Sequence, residues 1–408
     1  MRSMRWLIAA LAAGGVGLGL AAPAGAGISD KLVRIGVLTD LSGVYSEYNG
    51  QGSVAAARLA VEDFNRDRQD IAVELVVGDH QNKPDIGSAL ARRWLDVDKV
   101  DAIVDVPNSA VAFGVNEILR GSRATFLAST PASSDLHGKA CSPNTVQWLQ
   151  DTRALTNSTV SAIARTGGSS WFFITSDYAL GHALERDAGE VIKANGGRTV
   201  GSARHPLNTA DFSSFLLQAQ SSGATVVGLA NAGGDTLTAI KQANEFMMTG
   251  QGQTLATFLL FINDVHALGL ETAKGLLFTE AFYWDLNDQT RAFSQRFAQR
   301  AGGKMPSSNQ AGVYSATLAY LRAVAATGSD DAAAVMAEMR RAPIRDPLFG
   351  EVVVRPDGQA VHPMYLFRVK QPAQSKKPWD YYELVRTLSA DEAFPPMRPG
   401  ECPLIARN

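Results

Sequence analysis

Asn108-Ser109 and Ser129-Thr130-Pro131-Ala132-Ser133-Ser134 each follow a short apolar run, Ala102 to Val106 and Ala124 to Ala128. Short hydroxyls and amides at strand ends, beside the free backbone N–H groups of a helix start, can hold an anion by hydrogen bonds. The same residues also serve as ordinary helix caps and turns, since Val111, Val115, Ile118 and Leu119 mark a helix beginning at Asn108 or Ser109. Three further strand ends carry usable groups: Asp177-Tyr178 after Trp171 to Ile174, Asn231-Ala232-Gly233-Gly234-Asp235 after Val226 to Leu229, and Tyr283-Trp284 after Leu276 to Glu280. A phenol, a carboxylate at a helix start and an aromatic pair, set opposite the hydroxyls, would grip one end of a small molecule and sandwich the rest. Each has a local alternative as well: Asp177 and Asp235 as favourable charges at helix N-termini, Tyr178 as core, Tyr283 and Trp284 as hinge packing. Tyr45 and Tyr48 lie in the long loop from Thr39 to Asn49, and a long loop at a strand's carboxyl end usually touches something.

Other chemistry is poorly supported. There is no G-x-S-x-G elbow and no H-E-x-x-H pair, and the six histidines are scattered without a triad partner, so no catalytic residue is assigned. Gly50-Gln51-Gly52-Ser53-Val54-Ala55 fits a dinucleotide fingerprint in letters but follows its strand at too great a distance, so no cofactor is expected. Cys141 and Cys402 have no histidine or carboxylate at metal-ligand spacing, which leaves no metal site, and in an exported chain the pair most simply forms one disulfide.

Export is indicated by Arg2 and Arg5, the apolar run from Trp6 to Ala22 and the small-x-small site Ala24-Gly25-Ala26, which together read as a cleavable signal peptide over residues 1–26. Its removal takes the formal charge from −2 to −4, which argues against nucleic acid as partner. No later run is long and apolar enough to span a bilayer, so direct membrane insertion is not expected.

The elements that must position these groups alternate. Strands are expected at Leu32 to Leu38, Ile71 to Val77, Ala102 to Val106, Ser170 to Ile174, Thr199 to His205, Thr225 to Leu229, Leu255 to Phe261 and Leu276 to Glu280, with helices between most of them. Such alternation implies an α/β chain of two doubly wound, mainly parallel sheets facing each other across a cleft. The helices expected from Asp288 to Arg341 pack back on the first lobe, and strands follow at Gly350 to Val354 and Val361 to Val369. Crossings near Pro143 to Trp148, Glu280 to Trp284 and Ala342 to Pro347 would make a three-segment hinge. The resulting division is residues 27–147 and 282–344 for the N-terminal lobe, 148–281 and 345–384 for the C-terminal lobe, and a tail at 385–408.

Val33-Arg34-Ile35-Gly36-Val37-Leu38-Thr39-Asp40-Leu41-Ser42-Gly43, Ala60-Val61-Glu62-Asp63-Phe64-Asn65, the segment from Val77 to Asp85, and Asp177-Tyr178-Ala179-Leu180-Gly181 occur in this order along the mature chain. In this the sequence resembles type I periplasmic substrate-binding proteins of ABC transporters, in the branched-chain amino acid branch. The resemblance implies a periplasmic solute receptor that closes by a hinge and delivers a small carboxylate-bearing ligand to ABC permease and ATPase subunits. It places the ligand carboxylate at Asn108 or Ser109 and a second grip at Ser129 to Ser133, including Thr130. Tyr178 then matches the family tyrosine, and Asp235 the acid that pairs with a ligand ammonium. Tyr45 and Trp284 complete the expected ligand set. The departures, an Ala128-Ser129-Thr130-Pro131-Ala132 loop, an Asp in a glycine pair, and the Tyr283-Trp284 wall, suit a planar ligand, which opens the alternative of a binder of aromatic acids or amides. A ligand sensor for a membrane receptor would share the same fold and cleft.

Overall fold

The computed structural model describes residues 27–248 and 252–405. The signal peptide expected at 1–26 lies outside the described residues. Five parallel strands form the first sheet: β1 (Leu32–Thr39), β2 (Ala72–Asp79), β3 (Ala102–Asp105), β4 (Thr125–Ala128) and β5 (Thr145–Gln147), in the order β2-β1-β3-β4-β5. Helices α1 (Gly50–Asp67), α2 (Pro84–Asp96) and α3 (Ser109–Leu119) make the crossovers. Strands β3 and β4 are buried at every residue, which is why they read as unbroken apolar runs rather than alternating ones.

The second sheet is built the same way. After α4 (Thr152–Ala164) come β6 (Ser170–Ser176), α5 (Ala179–Ala194), β7 (Arg198–His205), α6 (Ser213–Ser221), β8 (Val226–Ala230), α7 (Gly234–Glu245) and β9 (Thr254–Thr257). Its parallel order is β7-β6-β8-β9. Two short helices follow, α8 (Ile262–Leu268) and α9 (Leu270–Ala273), and then β10 (Leu277–Glu280). The expected strand from Leu255 to Phe261 therefore stops at Thr257, and Phe258 to Phe261 run on as a buried loop.

Beyond β10 the chain turns to α10 (Asp288–Arg300), α11 (Ser308–Thr327) and α12 (Ala332–Arg341). α11 packs on α1, as the strandless helical run implied. A small antiparallel set follows, β11 (Ile344–Asp346), β12 (Gly350–Val354) and β13 (Ala360–Val361), and Gln359 bridges to Gln147 at the edge of the first sheet. β14 (Met364–Val369) then pairs antiparallel with β10 and with β15 (Tyr382–Leu388), ahead of α13 (Ala390–Ala393). The single strand expected over Val361 to Val369 is broken at His362-Pro363, where proline cannot donate to a ladder. Likewise Thr145 to Gln147, expected within a crossing, is the fifth strand of the first sheet. β5 leads into α4 at residues 148–151, β10 into α10 at 281–287, and β13 into β14 at 362–363.

Candidate functional site

The loop after β1 reaches from the first sheet to the loops at the strand ends of the second. Asp40 shapes that loop: its carboxylate accepts from Gly43 N at 2.7 Å, Tyr45 N at 2.9 Å and Asn82 Nδ2 at 2.6 Å. At its far end Ser307 Oγ donates to Tyr48 O, and Gln310 Nε2 donates to Asn49 O, so α11 holds the loop's base. Gly52 follows from this packing, because a Cβ there would sit 2.0 Å from Gln310 Nε2, while Gly50 takes φ +48°.

Three contacts join the loop to the second half. Gly234 N donates to Val44 O at 3.1 Å, the Tyr48 ring stacks on Phe261 at 4.3 Å, and the hydroxyls of Tyr45 and Tyr178 hydrogen-bond to each other. Gly233 has φ +61°, and a Cβ there would lie 2.3 Å from Val44 O, so the close approach requires glycine. Burial pushes both phenols well above their usual range, which keeps them neutral. Ala132, Ala232 and Phe258 share this apolar cluster. Sequence reading missed Phe258 and Phe261, because they sit inside an apolar run that resembles a strand.

On the first half, Asn108 Oδ1 accepts from Ala110 N at 3.0 Å and Val111 N at 3.2 Å, capping α3. Ser109 Oγ accepts from Ser133 N, which ties the two hydroxyl clusters together, and Ser133 Oγ is buried with no partner. Ser129 Oγ accepts from Asp105 N at 3.2 Å, and Thr130 Oγ1 donates to Asp105 Oδ1 at 2.8 Å. Asn108, Ser109, Ser129 and Thr130 are thus gathered around the ends of β3 and β4, and Thr130, 8% exposed, is the least buried of them.

Asp235 lies near enough to Tyr45, Tyr48 and Tyr178 for its charge to help raise their phenols, but its carboxylate is not free. Its two oxygens accept from Asn208 N at 3.1 Å and Thr209 N at 2.8 Å, tying α7 to the loop after β7, and burial raises its carboxyl. Nor does Trp284 meet Tyr45 and Tyr178. Its indole N–H donates to Trp379 O at 2.8 Å and Lys377 Nζ lies 4.8 Å over its ring, beside Tyr283, which stacks on Tyr382. Among the described residues no group of three or more His, Cys, Asp or Glu could hold a metal ion.

Two further devices link the halves. Arg186 on α5 donates to Asp135 Oδ1 at 2.9 Å and to Ser134 Oγ at 2.7 Å, while the fully buried Asp187 beside it accepts from Ser134 Oγ and Thr152 Oγ1. Cys141, ahead of β5, is bonded to Cys402, and the tail around Cys402 is held to the second half by Arg153 on Glu401 and Arg398 on Glu190. The disulfide expected from the cysteine count is present.

Two open parallel sheets, joined by aromatic contacts between the loops at their strand ends, define a two-lobed protein of the type I solute-binding fold. The chain matches the periplasmic binding protein family over residues 32–377 and belongs to it. A periplasmic binding protein from Burkholderia mallei is 45% identical, with a TM-score of 0.88 over 92% of this chain and 99% of that one. A branched-chain amino acid ABC transporter periplasmic ligand-binding protein from Burkholderia xenovorans LB400 is 38% identical, with a TM-score of 0.79 over 89% and 97%. A solute-binding protein of an ABC transporter from Rhodopseudomonas palustris BisB5, solved with 3,4-dihydroxybenzoic acid, shares the fold at 18% identity, with a TM-score of 0.79 over 88% and 98%. No curated protein matches the chain. Among the described residues no helix is long and apolar enough to cross a membrane.

Proposed function

We propose that the chain, exported and freed of residues 1–26, is the periplasmic receptor of an ABC uptake system and closes its lobes on a small aromatic acid or amide. The solute would lie between the amide and hydroxyl cluster of Asn108, Ser109, Ser129 and Thr130 and the rings of Tyr45, Tyr48, Tyr178 and Phe261, and pass to a permease and its ATPase. The observation that carries this reading is the pairing of an aromatic gap with an acid already in use. Tyr48 stacks on Phe261 across the lobes, whereas each oxygen of Asp235 already accepts one backbone N–H, which makes it a weaker partner for a ligand ammonium than a free carboxylate. That set of groups favours a flat, uncharged-ring solute over an aliphatic amino acid. The fold is known to hold such a solute in the Rhodopseudomonas palustris protein. Nothing in the arrangement assigns a catalytic residue, and binding with release is the role the family performs.

A thermal-shift screen of the mature protein against amino acids, aromatic acids, amides and small dicarboxylates tests this, because a ligand that binds only the folded state raises the melting temperature. Shifts with aromatic acids or amides support the reading. Shifts with leucine or valine and none with the aromatics would replace it.

A further inference from the structure

Cys141 is rooted in the first lobe. Arg120, just past α3, donates to Cys141 O at 3.0 Å and to Ala140 O at 3.1 Å, and Asn116 Nδ2 on α3 donates to Ala140 O at 2.8 Å. Its disulfide partner, Cys402, is carried by a tail seated on the second lobe. That tail leaves α13, where Asn157 Nδ2 on α4 donates to Glu392 O at 2.9 Å. Further on, Arg398 pairs with Glu190 on α5, and Arg153 on α4 donates to the two oxygens of Glu401 at 2.8 and 2.7 Å. The Arg153 side chain is only 9% exposed, so this pair is screened far less than one in open water.

α3 and α5 flank a groove of about 630 Å³, lined from the first lobe by Asn116, Asp135 and Ala140 and from the second by Ala179, His182 and Arg186. Arg186 links its walls by hydrogen bonds, which break and re-form. The tail links the same two lobes through a covalent bond, which does not yield.

The slack in the tail depends on where it is gripped. Held at Glu401, one residue from Cys402, it gives at most roughly 3.5 Å; freed back to Pro395, whose carbonyl Arg355 holds at 2.8 Å, its seven remaining residues reach roughly 25 Å. Two ion pairs therefore separate a taut connection from a loose one.

We infer that the C-terminal tail is a strap that limits how far the lobes open, with the Cys141–Cys402 bond as its fixed end and the Arg153–Glu401 and Arg398–Glu190 pairs as its stops. A limited opening keeps the solute-free lobes near their closed arrangement, so a solute has less ordering to impose when it arrives. The inference rests on the reading above that the lobes open and close.

The test is single-molecule energy transfer on the solute-free mature protein. Dyes go on azide-bearing residues placed at Val97 in the first lobe and Leu217 in the second, both exposed, so that no cysteine is used for labelling. The tail carries no dye, and its fraying alone leaves the measured distance unchanged. Wild type should show a narrow distribution. In Cys141→Ser/Cys402→Ser it should broaden toward lower transfer, by more than the roughly 3.5 Å that the held strap allows. Arg398→Ala/Glu401→Gln, with the disulfide intact, should reproduce most of that broadening. One broad distribution shared by wild type and both variants would overturn the strap while leaving lobe opening in place. One narrow distribution in all three would overturn the strap and the hinge reading with it. Broadening in the cysteine variant alone would overturn the role given to the ion pairs. Should the cysteine variant fail to fold, the ion-pair variant decides alone: broadening supports the strap, and none overturns it.

Discussion

The hydroxyl of Tyr45, on the loop after the first strand, hydrogen-bonds the hydroxyl of Tyr178, the residue that opens the first crossover helix of the other sheet. The two residues are 133 positions apart and belong to different lobes, so their contact reports closure directly. Removing one hydroxyl should cost the closed state about 0.5–1.5 kcal/mol, which weakens solute affinity by roughly 2- to 13-fold. Tyr45→Phe, Tyr178→Phe and the double variant, measured by calorimetry, should be non-additive; strictly additive losses would show that the two phenols act separately.

Arg186, two turns along α5 from Tyr178, also holds the lobes together. Its bonds to Asp135 and Ser134 cross between lobes, and Asp187 depends on it for a counter-charge. Arg186→Ala should shift the solute-free protein toward open forms, visible as a larger radius of gyration in X-ray scattering. The apparent affinity should fall in proportion to the lost closure-competent fraction. Scattering identical to wild type would show that the latch has no part in the equilibrium.

The Cys141–Cys402 bond closes a loop spanning 261 residues and joins a segment of the first lobe to a tail seated on the second. In the chain-entropy account such a closure is worth roughly 5 to 6 kcal/mol. Urea denaturation with and without reductant should show a loss of that order, and Cys402→Ser should reproduce it without reductant. A change below about 1 kcal/mol would mean that the ion pairs of Arg153 and Arg398 hold the tail unaided.

His137 gives a pH dependence with a defined sign. Burial alone would lower its pKa, but hydrogen bonds to Asp151 at 2.7 Å and contact with Asp357 at 3.3 Å outweigh that and push it up to about 9. The unfolded value is near 6.5. The stabilisation is therefore complete below pH 6.5 and is lost as pH rises toward and through 9, by an amount on the order of 1–3 kcal/mol. Denaturation midpoints at pH 6, 7.5 and 9 should fall in that order for wild type and stay flatter for His137→Gln. Equal slopes for the two proteins would remove His137 from the account.

Much of this architecture is readable from the chain because parallel strands buried on both faces leave short apolar runs that alternate with helical periods, as at Ala102 to Asp105 and Val226 to Ala230. Where the rule fails, the cause is local. Leu255 to Phe261 is apolar apart from Thr257, yet only Thr254 to Thr257 is strand; Phe258 and Phe261 are buried because they line the interlobe cluster, and burial alone does not distinguish a strand from a loop. Thr145 to Gln147 is too short and polar to announce a strand, and its place is set by pairing with β4. The hydroxyl residues at 108–109 and 129–130 stood out by type and position. The use of Asp105 did not, since it depends on a left-handed backbone and on partners from Asn49 and Thr130 that are distant in sequence. Trp284 looked like a cleft wall because it follows a strand end, but its indole is bound to Trp379, a residue 95 positions later.

The most direct test of the account is a crystal structure of the mature protein grown with the aromatic acid or amide that gives the largest thermal shift. The account predicts density for its ring among Tyr45, Tyr48, Tyr178 and Phe261, and for its polar end within hydrogen-bond reach of Thr130. Density for the solute outside the gap between the two sheets, with Tyr178 and Thr130 untouched, would contradict it.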